Sequence, residues 1–390
     1  MEGFPIGTDE DIIALSDAPY YTACPNPFIE EFIKEYGTPY DEATDDYHRE
    51  PFAADVSAEK SDSIYNAHMY HTKVPYKAIM QYILHYTNPG DIVFDGFCGS
   101  GMTGVAAQMC ECADFATRLK LEENEKDITW GIRYAVLNDL SPAATFIAHN
   151  LNTPINEDVF HSEMDEILCK TEQECRWMYE TNHIQENSNQ QTFLTETKPK
   201  GIINSVIWSE VLVCPQCGEE NVFWDMAWAN EGEKVKTIYH CKHCNCEIIK
   251  RKCARAIDVR YDDLIDKPVT LVKFVPVSIT YDFNGKRFKK KPDLDDLSLI
   301  KKIDEMQVKH WVPNNLIRVG DKTDDPERLG ILYVHQMFTK RNLLVLGVAM
   351  DYAKSAHAKF AITSTMFRVS KMNKYSWTKQ QRQELFSRHL

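Results

Sequence analysis

A glycine-rich turn between a short apolar run and a helix constrains this chain more than any other feature. Ile92-Val93-Phe94 reads as a buried strand set off by the breaker Pro89-Gly90. The run Asp95-Gly96-Phe97-Cys98-Gly99-Ser100-Gly101-Met102-Thr103-Gly104 follows, and Val105 to Met109 reads as a helix. Glycines at the end of a first strand let backbone amides approach a ligand with no side chain between them. The next helix then presents its N-terminus to that ligand. Tyr134-Ala135-Val136-Leu137 reads as a second buried strand, ending in Asn138-Asp139. Strand, glycine turn, helix and strand open a parallel α/β sheet. Upstream, residues 74–86 carry Ile79, Met80, Ile83 and Leu84 at helical spacing, with Pro75 suited to a first turn. Residues 111–133 are charged and read as an irregular surface insertion.

Gly99 to Gly104 also satisfies the dinucleotide pattern G-x-G-x-x-G, which expects an acid roughly 20 residues on. Here the acid after the second strand, Asp139, lies 35 residues beyond Gly104, which disfavours an NAD-type enzyme. The arrangement acid-x-Phe-x-Gly-x-Gly, Asp95 to Gly101, resembles the cofactor motif of site-specific DNA amino-methyltransferases, which modify adenine N6 or cytosine N4. Tyr70-His71-Thr72-Lys73-Val74-Pro75 is similar to the His-Pro-Thr-Gln-Lys-Pro element of that family and matches it at Thr72 and Pro75. The likeness continues through Asn138-Asp139-Leu140-Ser141-Pro142-Ala143-Ala144 and, more loosely, along the chain. It implies an α/β fold with a partial Rossmann-like S-adenosylmethionine-dependent methyltransferase core. It further implies that Asp95, Phe97, Gly99 and Gly101 line the methionine and sulfonium region, that Thr72 and Pro75 belong to the same site, and that Asp139 binds ribose. The alternative is a plain strand-to-helix turn of an unrelated α/β protein.

Cys214-x-x-Cys217 and Cys241-x-x-Cys244 are separated by 23 residues. A two-residue gap lets one tight turn aim two thiolates at a tetrahedral ion, and two such knuckles make a zinc ribbon. The expected ligands are Cys214, Cys217, Cys241 and Cys244 around a structural Zn2+. His243 and Cys246 lie close enough to compete, and Cys253 is a spare. Four unrelated core cysteines are the plainer alternative. With no secretory leader in Met1-Glu2-Gly3-Phe4-Pro5, the expected compartment is the cytoplasm, where the 12 cysteines stay reduced. No stretch approaches the ~20 unbroken apolar residues of a membrane helix.

A net charge of -14 argues against binding nucleic acid over the whole surface. From Cys241 to Lys291, however, 13 Lys and Arg face 6 Asp and Glu, a local balance of +7. Residues 269–288 read as a hairpin turning at Asn284-Gly285. At its end Lys286, Arg287, Lys289, Lys290 and Lys291 surround Phe288, a composition suited to phosphate contact and stacking on double-stranded DNA, or simply to a solvated hairpin end.

Amino methylation also needs an acid or Asn followed by Pro-Pro and an aromatic, to hold the exocyclic amine of a flipped base. No such tetrad follows residue 100. The nearest match is Asp17-Ala18-Pro19-Tyr20, after Ile12-Ile13-Ala14-Leu15, with Ala at the second position. Asp17, Pro19 and Tyr20 are therefore the catalytic candidates. The expectation is a chain whose catalysis is completed by a second polypeptide or a missing C-terminal half.

The expected organisation is an acidic and aromatic segment over 1–60, the α/β core over 61–155, a helix and linker over 156–200, the zinc ribbon over 201–255, and a hairpin and helical target-recognition region over 256–390. The expected function is methyl transfer from S-adenosylmethionine to DNA, adenine ahead of cytosine, in restriction-modification or phage defence. The competing reading is a non-catalytic zinc-ribbon DNA-binding subunit that keeps a methyltransferase-like fold.

Overall fold

The structure is a computed structural model that describes residues 29–37, 41–52, 60–124, 128–184, 198–227, 238–320 and 323–374. The chain divides into two compact units, Met1–Ala54 and Asp55–Leu390. The described part of the first holds helix α1 (Ile29–Tyr36), with Glu30 and Glu31 in its first turn and Lys34 in its last, as the helix dipole favours.

The second unit opens with α2 (Ser63–Asn66), capped by the Asp62 carboxylate, and α3 (Tyr76–Tyr86). Strand β1 (Ile92–Asp95) leads through the glycine turn into α4 (Met102–Cys112), then α5 (Phe115–Asn124), β2 (Tyr134–Leu137) and α6 (Pro142–Asn152). β1 and β2 pair in parallel, Ile92 opposite Tyr134 and Asp95 opposite Leu137. α3 and α4 pack through Met80, Ile83, Leu84, Val105, Ala106 and Cys110. Ala106 and Ala107 are wholly buried, because a side chain no larger than a methyl lets the helices approach closely.

Two expectations for this region change. Residues 115–124 form α5 rather than an irregular insertion, held by a cap in which Asp114 accepts from Thr117 N at 2.8 Å. The two strands are covered on one face only. Val93 and Ala135 pack on the helices, whereas Ile92, Phe94, Tyr134 and Val136 are 68%, 72%, 57% and 52% exposed. Parallel strands are ordinarily covered on both faces. Reading them as fully buried assumed a cover that the described residues do not supply.

Beyond α6 lies α7 (Glu157–Cys175), capped by Asn156, followed by β3 (Glu180–Asn182) and the long β4 (Lys200–Val213). The zinc ribbon was expected over residues 201–255. β4 instead runs for 14 residues, because its first part belongs to a larger antiparallel sheet and only its end reaches the cysteines. β5 (Glu220–Val222) pairs with that end, next to α8 (Phe223–Ala227) and the small pair β6 (Tyr239–His240) and β7 (Glu247–Ile248). β8 (Ile257–Asp262) and β9 (Lys267–Val272) form one hairpin, and β10 (Phe274–Phe283) and β11 (Lys286–Lys290) another. The expected turn at Asn284-Gly285 is present, with φ of 48° and 74°. Val269 to Val272 belong to the first hairpin, so the expected single hairpin over 269–288 is two.

The larger sheet runs β11-β10-β4-β3, with β5 on the far end of β4. α9 (Leu294–Asp304), the short α10 (Asp324–Glu327), α11 (Lys340–Tyr352) and α12 (Ala356–Val369) complete the fold, all within the region expected to hold a hairpin and helices, 256–390. α7, α11 and α12 share a core of Ile167, Leu343, Leu346, Ala349 and Ile362. The assembly is mixed α/β.

Candidate cofactor loop and metal centre

The ends of β1 and β2 are laced together by backbone and side chain. Asn138 N donates to Asp95 O (2.9 Å), Cys98 N to Asn138 O (2.9 Å), and Asn138 Nδ2 to Gly96 O (3.2 Å). Asp139 closes the lattice. Its Oδ2 accepts from Gly99 N and its Oδ1 from Ser141 N, both at 2.9 Å. Asp95 accepts from Phe97 N (3.2 Å) and from Thr103 Oγ1 (2.6 Å). Two carboxylates are thus fixed at one turn, each oxygen keeping a lone pair for a ligand.

Tyr70 lies over this turn: a Cβ built on Gly99, whose φ is +53°, would sit 3.0 Å from its ring. Burial, then the charges of Asp139 and Cys98, push the Tyr70 phenol up. The Cys98 thiol is likewise pushed up by burial and then by Asp95 and Asp139. Ser100 is 2% exposed, and its Oγ has no hydrogen-bond partner among the described residues. A buried hydroxyl without a partner is costly, so this orphan at the centre of the turn marks a place where a polar ligand group fits. Phe97 is 82% exposed beside it.

The glycines divide their labour. Gly99 admits Tyr70. Gly101, with φ +75°, faces α6: a Cβ there would lie 2.7 Å from Ala148 Cβ and 2.8 Å from Asn152 Nδ2. Asn152 Nδ2 also donates to Gly101 O at 3.0 Å. Thr72 is exposed, and Pro75 is buried as the residue before α3. Tyr70, Ser100 and Asn152 were not assigned from sequence. Tyr70 stands where the family element has a different residue, and an orphaned hydroxyl becomes visible only with its surroundings.

At the end of β4, Cys214 N donates to Glu219 O (2.9 Å), and Gly218 N donates to Cys214 O (2.9 Å), closing a tight turn. The second knuckle repeats the pattern, Cys241 N to Cys246 O (2.9 Å) and Asn245 N to Cys241 O (3.0 Å). The four Sγ atoms of Cys214, Cys217, Cys241 and Cys244 lie within 4.8 Å of one another, an arrangement able to hold a metal ion. A tetrahedron with metal–sulfur bonds of about 2.3 Å has edges of about 3.8 Å. The Cys214–Cys244 and Cys217–Cys241 separations are both 3.7 Å. Backbone amides, Cys217 N–H foremost, hold the Cys214 thiol down to about 6, and Cys244 N–H similarly lowers Cys241. Asn221 Nδ2 donates to Cys241 Sγ at 3.4 Å. Cys246 Sγ lies 3.3 Å from Cys214 Sγ, close to the set, whereas His243 contributes its backbone N–H to Cys241 Sγ.

The basic hairpin is less uniform than its composition. Lys286, Lys289 and Lys291 are exposed. Arg287 Nε donates to Asp282 at 3.2 Å. Lys290 has a side chain only 1% exposed and pairs with Asp293 (2.7 Å) and Asp296 (2.8 Å), the two members of the α9 capping box. It anchors β11 to α9 rather than facing solvent. Asp17, Pro19 and Tyr20 lie outside the described residues.

A parallel β-turn-α-β unit, with glycines after the first strand and an acid pinned after the second, places this region in the α/β class. Residues 15–112 match the family model described as DNA methylase, N6_N4_Mtase, so that span is similar to the DNA amino-methyltransferases. The matched span includes both Asp17-Ala18-Pro19-Tyr20 and the glycine turn. No curated protein and no solved structure matches the chain. Among the described residues, no helix is long and apolar enough to cross a membrane.

Proposed function

We propose that this chain is the cofactor-binding and DNA-holding part of a cytoplasmic DNA methyltransferase of restriction-modification or phage-defence type, acting on adenine N6 ahead of cytosine N4. The observation that carries the reading is the orphaned Ser100 hydroxyl in a turn flanked by Asp95 and Asp139, within the span that matches the family. S-adenosylmethionine, when bound, supplies the electrophilic methyl group. Asp139 would accept from the ribose hydroxyls. Asp95, Phe97 and Gly99 would line the methionine end, with Ser100 offering a further hydrogen bond and Gly101 holding the turn against α6. Thr72 and Pro75 would set the approach of the Tyr70 segment.

The cysteine knuckles would hold one structural Zn2+, making a zinc ribbon fixed to the end of β4. Lys286, Arg287, Lys289 and Lys291 would contact DNA phosphate. Lys290 drops out of that set because its charge is already neutralised. A segment carrying Asp-Pro-Pro-aromatic would complete catalysis by positioning the target amine. The uncovered face of Ile92, Phe94, Tyr134 and Val136 supports docking of such a segment on the strands. In the family-matched span Asp17-Ala18-Pro19-Tyr20 is the other source of that function.

The test is calorimetry of S-adenosylmethionine on the full chain. Saturable binding is expected, weakened in Asp139→Ala by roughly 1–3 kcal/mol for the loss of a partner of buried hydroxyls. Absence of binding, or tighter binding of NAD, refutes the reading. Labelled-methyl transfer to genomic DNA then separates the catalytic options: transfer by this chain alone, abolished by Asp17→Ala, would assign catalysis to the N-terminal segment.

A further inference from the structure

Far from the glycine turn in sequence, α7, β4, α9, α11 and α12 enclose a cavity of about 550 Å3. It shares no residue with the cofactor loop, and its size falls within the roughly 300–1,000 Å3 of small-molecule sites. Seven buried side-chain polar atoms have no hydrogen-bond partner among the described residues, and three of them line this one cavity: Thr171 Oγ1, Asn204 Nδ2 and Arg341 Nε. Such groups are rarely left unsatisfied, and their concentration around one space indicates an occupant.

Charge indicates what kind. The Arg341 guanidinium lies 5.3 Å from the Tyr179 ring centroid, and among the described residues no carboxylate oxygen comes within 4.0 Å of it. Burial holds its pKa below the usual guanidinium value, although an arginine stays charged at neutral pH. Asp304, whose carboxyl burial pushes up, lines the same cavity and with Asp296 offsets only part of the Arg341 charge, so an anion seated there would be held by the remainder. Arg368 lines the same cavity from α12. The Tyr179 hydroxyl is already used, donating to Asn342 Oδ1 at 3.0 Å, so it does not compensate Arg341. The remaining wall includes Trp208 and Ile300, an aromatic and apolar surface. The Glu172–Arg176 pair, with side chains 59% and 56% exposed, lies where the cavity meets solvent.

We propose that this cavity binds a nucleoside monophosphate, with the phosphate on Arg341 and Arg368 and the base against the Trp208 wall, where Asn204 and Thr171 meet its polar edge. Arginine suits phosphate because its planar fork offers paired donors. A base supplies both a π-face for Trp208 and acceptors for the Asn204 amide. The site is independent of the methyl-donor loop and stands or falls separately from it.

The experiment is calorimetric titration of the full chain with AMP, GMP, CMP and UMP, with adenosine and guanosine as phosphate-free controls. Saturable binding of at least one nucleotide is expected, at least tenfold weaker for its nucleoside. Arg341→Met, which keeps the apolar stem, is expected to reduce binding at least tenfold. Asn204→Leu provides a second variant with the same expected loss should Arg341→Met fail to fold. Asp139→Ala should bind the nucleotide as wild type does. The proposal is overturned by absence of saturable binding of all four nucleotides, by binding unmoved in the cavity variants, or by binding lost in Asp139→Ala.

Discussion

Replacing Gly101 by alanine tests whether the glycine turn is shaped by its ligand or by helix α6. The backbone there has φ +75°, a left-handed conformation that costs a residue with a Cβ about 1–2 kcal/mol. The new methyl would also lie 2.7 Å from Ala148 Cβ and 2.8 Å from Ala148 Cα. Neither atom is the end of a flexible side chain, so α6 must move, and overpacking of this kind typically costs about 1–3 kcal/mol. The expected total is about 2–5 kcal/mol, a large share of the 5–15 kcal/mol that holds a typical domain together. Gly90 supplies the control. It precedes the same strand with φ +92°, yet a Cβ there meets nothing within 4 Å. Gly90→Ala should therefore lose only the conformational part. Urea unfolding followed by circular dichroism would compare the two through their midpoints. Equal losses in both variants, or a loss under about 1 kcal/mol for Gly101→Ala, would refute the packing argument and leave Gly101 as a ligand-facing residue.

Purified protein should carry about one zinc per chain, and the Cys214→Ser, Cys241→Ser double variant should lose it; mass-spectrometric metal analysis finding none in untreated wild type would sink the metal reading. Lys290→Met should destabilise by about 3–5 kcal/mol, since it strands the buried Asp296 without its partner, while leaving the salt dependence of DNA binding unchanged. Lys291→Ala should do the reverse, lowering that salt slope by about 1 with little effect on unfolding; a flatter slope for Lys290→Met would restore it to the DNA-contacting set. Burial holds the Lys371 ammonium down to about 7. The unfolded chain, with an ordinary lysine near 10.4, binds the extra proton between those values, so this group makes stability rise from about pH 7 to about pH 10. Urea midpoints across that range should rise less steeply in Lys371→Met; parallel profiles would show that the side chain is not desolvated.

Much of the local geometry was legible in short stretches of sequence. The glycine turn, the acid after the second strand, the two Cys-x-x-Cys knuckles and the Asn-Gly hairpin are each specified by residues a few positions apart. Backbone geometry converts such spacings into nearby atoms whatever the rest of the chain does: a two-residue gap brings two sulfurs together, and Asn284-Gly285 reverses the strand. Asp139 is the longest reach that was legible, and it was read through resemblance rather than spacing.

What only the tertiary structure decided depends on partners far away in the chain. Lys286, Lys289, Lys290 and Lys291 look alike in sequence, yet only Lys290 meets the Asp293–Asp296 cap of α9, because alternation along β11 turns it inward. Gly101 looks like a ligand glycine until α6, some 45 residues on, closes over it. β1 and β2 carry apolar residues on both faces, and composition cannot say which face a helix will cover. The cavity around Arg341 draws its walls from elements spread between residues 168 and 369, and no local pattern records that they meet. Spacing along the backbone determines short-range chemistry, whereas burial, and with it the charge and reactivity of a side chain, is set by whichever distant surface packs against it.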